Sequence, residues 1–461
     1  MSDNPPPTLR VLTLNCWRVS PQTSLHAQSG LTPFICHSSD GSAPPTTTTT
    51  TTSTHSRRSN GYDVVALQEI WVRDDFHLVA QRAKQAGLNH SKFFYSGAIG
   101  SGLAILSRYP IESSWICPYP LNGFPLHFIQ GDFFAGKSIC GVSIDVPGIG
   151  LTDVLNTHMY APGGEGDDVS GAHRVAQAWE LAKVATEKAE RGRHVIVTGD
   201  FNSQPHSIIM RLIQSLGGLL DSFAETHPPP PSITSAQHRA LSPVEVVHAH
   251  GITCDSPLNS YSPAKLKRKS PSDDVILRGG KRLDYVLYRS PPNAAARLRA
   301  DSCEVKLTDP VPRVGVSYSD HFALESVFSL TTSFQTQPPP SDPDLLSPAL
   351  SNLNRAYREN RHASKRHLEL FALCVALVPV LAVSSAFQPL EYLNWIWTLL
   401  GVATGIVGAT LLYTGFVGGQ WEAGALRNVT GEIEDEIERL RNRRGGRRDE
   451  PNAERDGPAW T

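Results

Sequence analysis

Cysteine is scarce in this chain: 7 in 461 residues, scattered, odd in number and with no C-x-x-C pair. That excludes a disulfide framework and a cysteine zinc site, and it fits a reducing compartment. Neither charge is in excess, with 42 Lys+Arg against 44 Asp+Glu and a formal net charge of −2. So even a balance lacks the basic footprint of a nucleic-acid binder, and no nucleic-acid partner is expected. The opening MSDNPPPTLRV has no basic stretch followed by an apolar core. No secretory signal peptide is read there, and the bulk of the chain is expected in the cytosol.

What is present is an alternation of strand-like and helix-like stretches from residue 8 to 330. VLTLN, DVVALQ, LAILS, SICGVSIDV, LTDVLNTH, HVIVTGD, RLDYVLY and ALESVFSL read as strands. Residues 74–87 and 171–192 carry apolar residues at three- and four-residue spacing and read as helices, the second bracketed by Gly171 and Gly192. At this length there is room for one large α/β domain plus appendages.

Polar groups end or interrupt these apolar runs in a fixed order. LTLNCW offers Asn15, LQEIW offers Glu69, NTHMYAP offers Asn156 and His158, GDFNSQP offers Asp200 and Asn202, and SDHFAL offers Asp320 and His321. An acid and an amide two apart, just past a buried strand, suit a phosphate or metal site. Carboxylate and amide oxygens suit a hard cation such as Mg²⁺, with Glu69 as the inner ligand and Asn15 beside it. A histidine next to a carboxylate takes a proton from water, because the carboxylate fixes the tautomer and stabilises the imidazolium. Asp320 and His321 are adjacent and need not face each other, so Asp200 or another residue is an equal candidate for the orienting carboxylate. A lone histidine is ordinarily a surface or hydrogen-bonded residue; it is the five motifs in order that carry weight.

In this order the motifs resemble those of the DNase I-like superfamily of Mg²⁺-dependent phosphoesterases. Within it, SGLAILSRYPI (101–111) and GITCDSPLNSY (251–261) resemble the neutral sphingomyelinases, in particular the fungal inositol phosphosphingolipid phospholipases C. The resemblance implies a four-layer α/β sandwich with two stacked mixed sheets. It implies Mg²⁺-dependent hydrolysis of the phosphodiester between ceramide and its headgroup, with a membrane sphingolipid as partner. It also assigns roles: His321 as general base with Asp320 in support, Asp200 and Asn202 positioning phosphate and water, and His158 stabilising phosphoryl oxygens or protonating the leaving group. An inositol polyphosphate phosphatase of the same superfamily is one rival. A catalytically dead membrane adaptor is another.

GDFFAGKS (131–138) matches the nucleotide-binding pattern G-x-x-x-x-G-K-[ST]. That pattern needs a following helix, yet SICGVSIDV reads as a strand, so no nucleotide is expected. A hairpin loop with Lys137 exposed is the plain reading. The resemblance supplies a third, in which Asp132 and Lys137 pair as a switch between inactive and active arrangements of the site.

Other stretches stand apart from the domain. Residues 18–60, with TTTTTTT, read as a disordered insertion or as a gene-model error such as a retained intron. Residues 227–243 read as a Pro-rich loop, 1–7 as an N-terminal tail and 331–354 as a linker. Within 355–425 lie two runs, 368–387 and 393–419, that are long and apolar enough to span a bilayer. They predict a hairpin, with Trp395, Trp397 and Tyr413 near its ends and Gly401 and Gly405 at the spacing of close helix packing. Arginines flank it on both sides and are absent from its connector, so both flanks are expected in the cytosol. The charged tail, 426–461, has apolar residues at 426, 429, 433, 437 and 440 and arginines late. It reads as a solvated face whose arginines meet anionic phospholipids, which would then act as activators. A chain ending near residue 335 would keep every one of these polar motifs.

Overall fold

The computed structural model describes residues 7–17, 61–125, 131–161, 171–227, 241–262, 279–312, 314–333 and 343–446. The insertion read at 18–60, most of the Pro-rich loop and the end of the tail lie outside them.

Two six-stranded mixed sheets face each other. The first runs β11 (Arg297–Lys306), β12 (Ala323–Thr331), β1 (Thr8–Asn15), β2 (Val64–Gln68), β4 (Leu103–Ser107), β3 (His90–Phe94). The second runs β5 (Ile111–Pro118), β6 (Ser138–Val146), β7 (Gly150–His158), β8 (His194–Asp200), β10 (Asp284–Arg289), β9 (Leu220–Asp221). Their inner strands are rich in Val, Ile and Leu because both faces are covered. Leu9, Val11, Val64 and Ile105 of one sheet meet Val142, Val154, Ile196 and Val286 of the other in the central layer. Helix α1 (Arg73–Gln85) covers the outer face of the first sheet through Phe76, Val79 and Ala83. Short α2 (Asp132–Ala135) lies just before β6. Helices α3 (Gly171–Glu190) and α4 (Ile208–Gly217) cover the second sheet. The result is the four-layer α/β sandwich.

β1 and β2 are parallel, as are β7 and β8, while β12 and β10 run antiparallel to β1 and β8. The last residues of β1, β7 and β8 therefore share one end with the first residues of β10 and with the turn into β12. The edge strands β3, β5 and β11 were not legible in the sequence. Each lacks the unbroken apolar run, with exposed residues interspersed among the buried ones.

Two regions differ from the sequence reading. Residues 331–354 are not a linker throughout: a single 43-residue helix, Pro343–Ser385, begins at Pro343. Its Leu345, Leu346, Ala349 and Leu353 pack into the apolar layer over α3 and α4. Thr/Ser/Pro composition hid a stripe of apolar residues at helical spacing. As far as residue 446, the charged tail is not a solvated face either. Helix Gly419–Gly446 lays Leu426, Val429, Ile433 and Ile437 into the same layer. Trp179 Nε1 donates to Glu432 Oε2 at 2.5 Å, and Lys183 Nζ lies 2.7 Å from the same oxygen.

Between these packed segments stand Leu368–Ser385 and helix Asn394–Leu412, both largely uncovered; two helices here are long and apolar enough to cross a membrane. Gly401 and Gly405 do not mediate their packing, since a Cβ at either would meet nothing. The close crossing lies lower. A Cβ on Gly415 would meet His367 at 2.8 Å, and one on Gly419 would lie 2.0 Å from Ser364 Oγ.

Candidate active site

Strand ends deliver the polar residues to one place. Asn15 closes β1, Glu69 follows β2, His158 closes β7, Asp200 closes β8 and Asp284 opens β10. Backbone geometry is specialised here: Glu69 has φ 60 and Asn202 φ 46, a region non-glycine residues rarely enter. Gly199 is forced by close approach, because a Cβ there would lie 2.0 Å from the Thr157 carbonyl oxygen. It lets β7 and β8 run together up to His158 and Asp200.

Asn15 is the hub. Its Nδ2 donates to Glu69 Oε1 at 3.1 Å and to Asp200 Oδ2 at 3.0 Å, while its Oδ1 accepts from Trp17 N at 3.0 Å. In this arrangement the amide hydrogens occupy the space between two carboxylates that a cation's charge would fill. The carboxylates are hard oxygen donors and fit a divalent ion such as Mg²⁺. Asn15, by contrast, presents its amide nitrogen to them and not its oxygen. Asp200 Oδ1 accepts from Asn202 N at 2.9 Å, and Asn202 Nδ2 donates to the Met159 carbonyl at 3.0 Å. His158 Nε2 lies 3.5 Å from Asp200 Oδ2 and 4.0 Å from Glu69 Oε1.

The carboxylate that orients His321 is Asp284, which the sequence reading missed. His321 Nδ1 is 2.7 Å from Asp284 Oδ2, and its Nε2 is 3.9 Å from Asp200 Oδ2. Asp320 is buried, and its Oδ1 accepts from the neighbouring Ser319 hydroxyl. Asp284 sits in the predicted strand RLDYVLY, where a lone acid reads as a strand start. Only its register opposite Asp200 reveals it. Asp200, Asp284 and His321, all buried, place ligand-type atoms within 4.8 Å of one another.

The segment around Thr253 is a scaffold for this pair. Thr253 Oγ1 accepts from Leu283 N and Asp284 N, its carbonyl accepts from Phe322 N at 2.7 Å, and Asn259 Nδ2 donates to the Ser319 carbonyl. Ser319 Oγ donates to the Asn15 carbonyl at 2.6 Å. Asn156 is likewise structural: its amide donates to the Leu67 and Ala104 carbonyls and its Oδ1 accepts from Gln68, tying one sheet to the other.

Electrostatics set the two histidines apart. Burial pushes His158 well below the usual histidine range, and the Lys137 and His321 charges push the same way. Burial also acts to lower His321, but Cys254, Asp284 and Asp200 outweigh it and hold it well above that range. Burial raises Asp200 to about 6, with Asp284 adding and His321 opposing.

Lys137 is buried, 2% exposed, and its Nζ lies 3.1 Å from Asp132 Oδ1. The exposed hairpin lysine of the plain reading is thus replaced by a buried ion pair. The segment after it is strand β6, so the helix that a phosphate-cradling loop requires is absent.

Residues 56–321 match the Endonuclease/Exonuclease/phosphatase family. The chain is similar to the inositol phosphosphingolipids phospholipase C of Schizosaccharomyces pombe, 32% identical over 387 residues that cover 81% of this chain and 86% of that one. It is similar to the protein of the same name from Saccharomyces cerevisiae, 29% identical over 94% of this chain and 91% of that one. Sphingomyelin phosphodiesterase 2 of Rattus norvegicus is 29% identical over 73% of this chain and 67% of its own length. Among solved structures, SmcL aligns with a TM-score of 0.46 at 15% identity, over 70% of this chain and 99% of that one.

Proposed function

Since the chain belongs to the endonuclease/exonuclease/phosphatase family, we propose that it is a Mg²⁺-dependent phosphodiesterase of phospholipase C type. Its substrate class is the sphingophospholipids, split into ceramide and a phosphorylated headgroup. The observation that carries this reading is the convergence of buried Asn15, His158, Asp200, Asp284 and His321 with partly exposed Glu69 at one end of the sandwich. The curated relatives, named as sphingolipid phospholipases and phosphodiesterases over most of the chain, supply the substrate class.

Glu69 is the metal-holding carboxylate, being partly exposed at the mouth with an 18% accessible side chain. Asn15 joins it by turning its amide oxygen inward. When bound, Mg²⁺ supplies positive charge that screens the carboxylates and neutralises charge growing on the phosphoryl oxygens. His321, oriented through Nδ1 by Asp284, presents Nε2 to an attacking water; the unscreened carboxylates hold it protonated, and once their charge is screened Nε2 is free to accept the water's proton. Asp200 and Asn202 hold that water and the phosphate. His158 faces the leaving oxygen, and Asp320 fixes the turn that carries His321. Lys137, paired with Asp132 here, is close enough to act on His158 and would neutralise a phosphoryl oxygen when released.

The two apolar helices form a membrane hairpin. Both of its flanks pack on the catalytic domain, which supports placing them on one side of the bilayer. The basic residues Arg358, Arg361, Lys365 and Arg366 before the first span favour the cytosolic side. They also replace the late arginines as the contact for anionic phospholipid. Helix Gly419–Gly446 runs back along α3, so Arg439 and Arg441 lie about 30 Å from the hairpin at 1.5 Å per residue.

The test is turnover by the full-length protein on a sphingolipid, a phosphoinositide and abasic DNA, with and without Mg²⁺. Product ceramide by mass spectrometry, from the sphingolipid alone, is expected. Release of inorganic phosphate from the phosphoinositide would instead place it among monoester phosphatases.

A further inference from the structure

The direction of the membrane hairpin relative to the sandwich can be read from its flanks. Helix α3 begins at the end that carries the polar cluster: Arg174 Nη1 donates to the Tyr160 carbonyl, two residues past His158. Glu422 meets His173 in the first turn of α3 at 3.6 Å, and Glu432 meets Trp179 and Lys183 further along it. The helix after the hairpin therefore starts level with the mouth and runs away from it. The apolar helices lie on the other side of that start, beyond the mouth. Gly418 at their foot lies against Pro125, and Trp421 Nε1 donates to the Pro120 carbonyl. The bilayer plane thus falls across the open end of the sandwich.

That end carries most of the large apolar side chains that the sandwich exposes. Outside the C-terminal helices, the described residues expose only five large apolar side chains: Val72, Tyr95, Ile99, Leu151 and Val244. Three of them stand at the mouth. Val72, 52% exposed, follows Glu69 by three residues. Tyr95 and Ile99, 61% and 58% exposed, crown the turn between β3 and β4. That turn is anchored to the site on both sides. Gly102 at its base approaches Glu69 so closely that a Cβ would lie 3.1 Å from its Cα. At its tip Ala98 N and Ile99 N donate to the Phe134 carbonyl, beside Asp132 and Lys137. Arg73 and Asp74 next to Val72 are exposed as well.

We infer that Val72, Tyr95 and Ile99 form a rim that inserts into the lipid bilayer and seals the mouth of the site against it. The partner is a lipid surface. An aromatic and two aliphatic side chains, held on a rigid turn at the level of the hairpin's foot, gain by leaving water for the acyl boundary. A lipid diester then passes from the bilayer to Glu69 and His321 without crossing bulk water. The placement rests on the hairpin; the consequence for turnover rests on the lipid-directed reading of the site.

Two measurements on the full-length protein in phosphatidylcholine vesicles test this. In a background with Cys36, Cys117 and Cys374 replaced by serine, Tyr95→Cys and Ile99→Cys carry an environment-sensitive dye, with Leu151→Cys as control at the opposite end. Acyl-chain nitroxide lipids should quench the dye at 95 and 99 and aqueous iodide should not, with the reverse at 151. Iodide quenching at 95 and 99 equal to that at 151 would overturn the inference, whatever the enzyme hydrolyses. For the second, Tyr95→Ser with Ile99→Ser should lower hydrolysis of vesicle-borne sphingolipid by about tenfold while leaving detergent-dispersed substrate unaffected. An equal loss on both substrates would mean that the turn shapes the site and does not meet lipid. A wild-type protein that is quenched as expected but hydrolyses no sphingolipid would keep the rim and remove the substrate reading.

Discussion

Asp284 and Asp200 stand opposite each other on antiparallel strands, yet they do different things to His321. Asp284 takes the Nδ1 hydrogen at 2.7 Å, whereas Asp200 faces Nε2 from 3.9 Å. Asp284→Asn keeps the shape but can no longer favour the tautomer with a free Nε2. Turnover should fall by about 10²–10⁴-fold, while circular dichroism stays native. Retention of more than a tenth of the activity would remove Asp284 from the mechanism. Asp320→Asn is the contrast: its Oδ1 accepts from Ser319, in the turn that carries His321, so a smaller loss is expected. Glu69 carries the metal prediction. EDTA should abolish activity and Mg²⁺ restore it, and Glu69→Gln should raise the Mg²⁺ concentration needed for half-activation. Full turnover in excess chelator would argue against a metal. Five motif residues, Asn15, Glu69, His158, Asp200 and His321, were legible because each interrupts an apolar run. Asp284 was not, because its partner in the sheet is 84 residues away and a strand's first residue is commonly polar.

At the scale of elements, the short α2 and the turn after it decide what GDFFAGKS does. Gly97 and Gly136 press together there, each leaving no room for a Cβ, and Lys137 closes onto Asp132. Buried against Asp132 and followed by strand β6, Lys137 does not stand in a loop whose backbone amides lead into a helix and could cradle a nucleotide's phosphates. Lys137→Ala should lower lipid hydrolysis sharply, with ATP neither binding nor competing; micromolar ATP binding by calorimetry would revive a nucleotide role. The C-terminal elements are a second case. Ile433 is fully buried against α3, so Ile433→Ala should cost about 2–5 kcal/mol of stability despite lying in a charged tail. A melting temperature unchanged by this substitution would show the helix undocked. The stripe at 426, 429, 433 and 437 was visible in the sequence, but a stripe alone does not say whether a partner covers it.

For the molecule as a whole, the hairpin is braced and not merely tethered. Pro343–Ser385 and Gly419–Gly446 together complete the apolar layer outside α3 and α4. A chain ending near residue 335 keeps every polar motif but uncovers Trp179, Leu212 and the alanines of α3. It should therefore aggregate or melt lower than the intact protein in detergent, and its activity should fall through lost stability. A well-behaved, fully active truncation would show that the layer is dispensable. By itself the sequence determined the strands with unbroken apolar runs, the order of the polar residues that end them and the two apolar helices. Those signals are local: burial on both faces, charge at a strand end and the length of an uncharged run are all written in neighbouring residues. Only the tertiary structure decided that Asp284 orients His321, that Lys137 is buried against Asp132, and that the tail covers α3. Only it turned the mouth toward the hairpin. Each of those depends on which strands pair and which faces meet, contacts between residues that are distant in the chain.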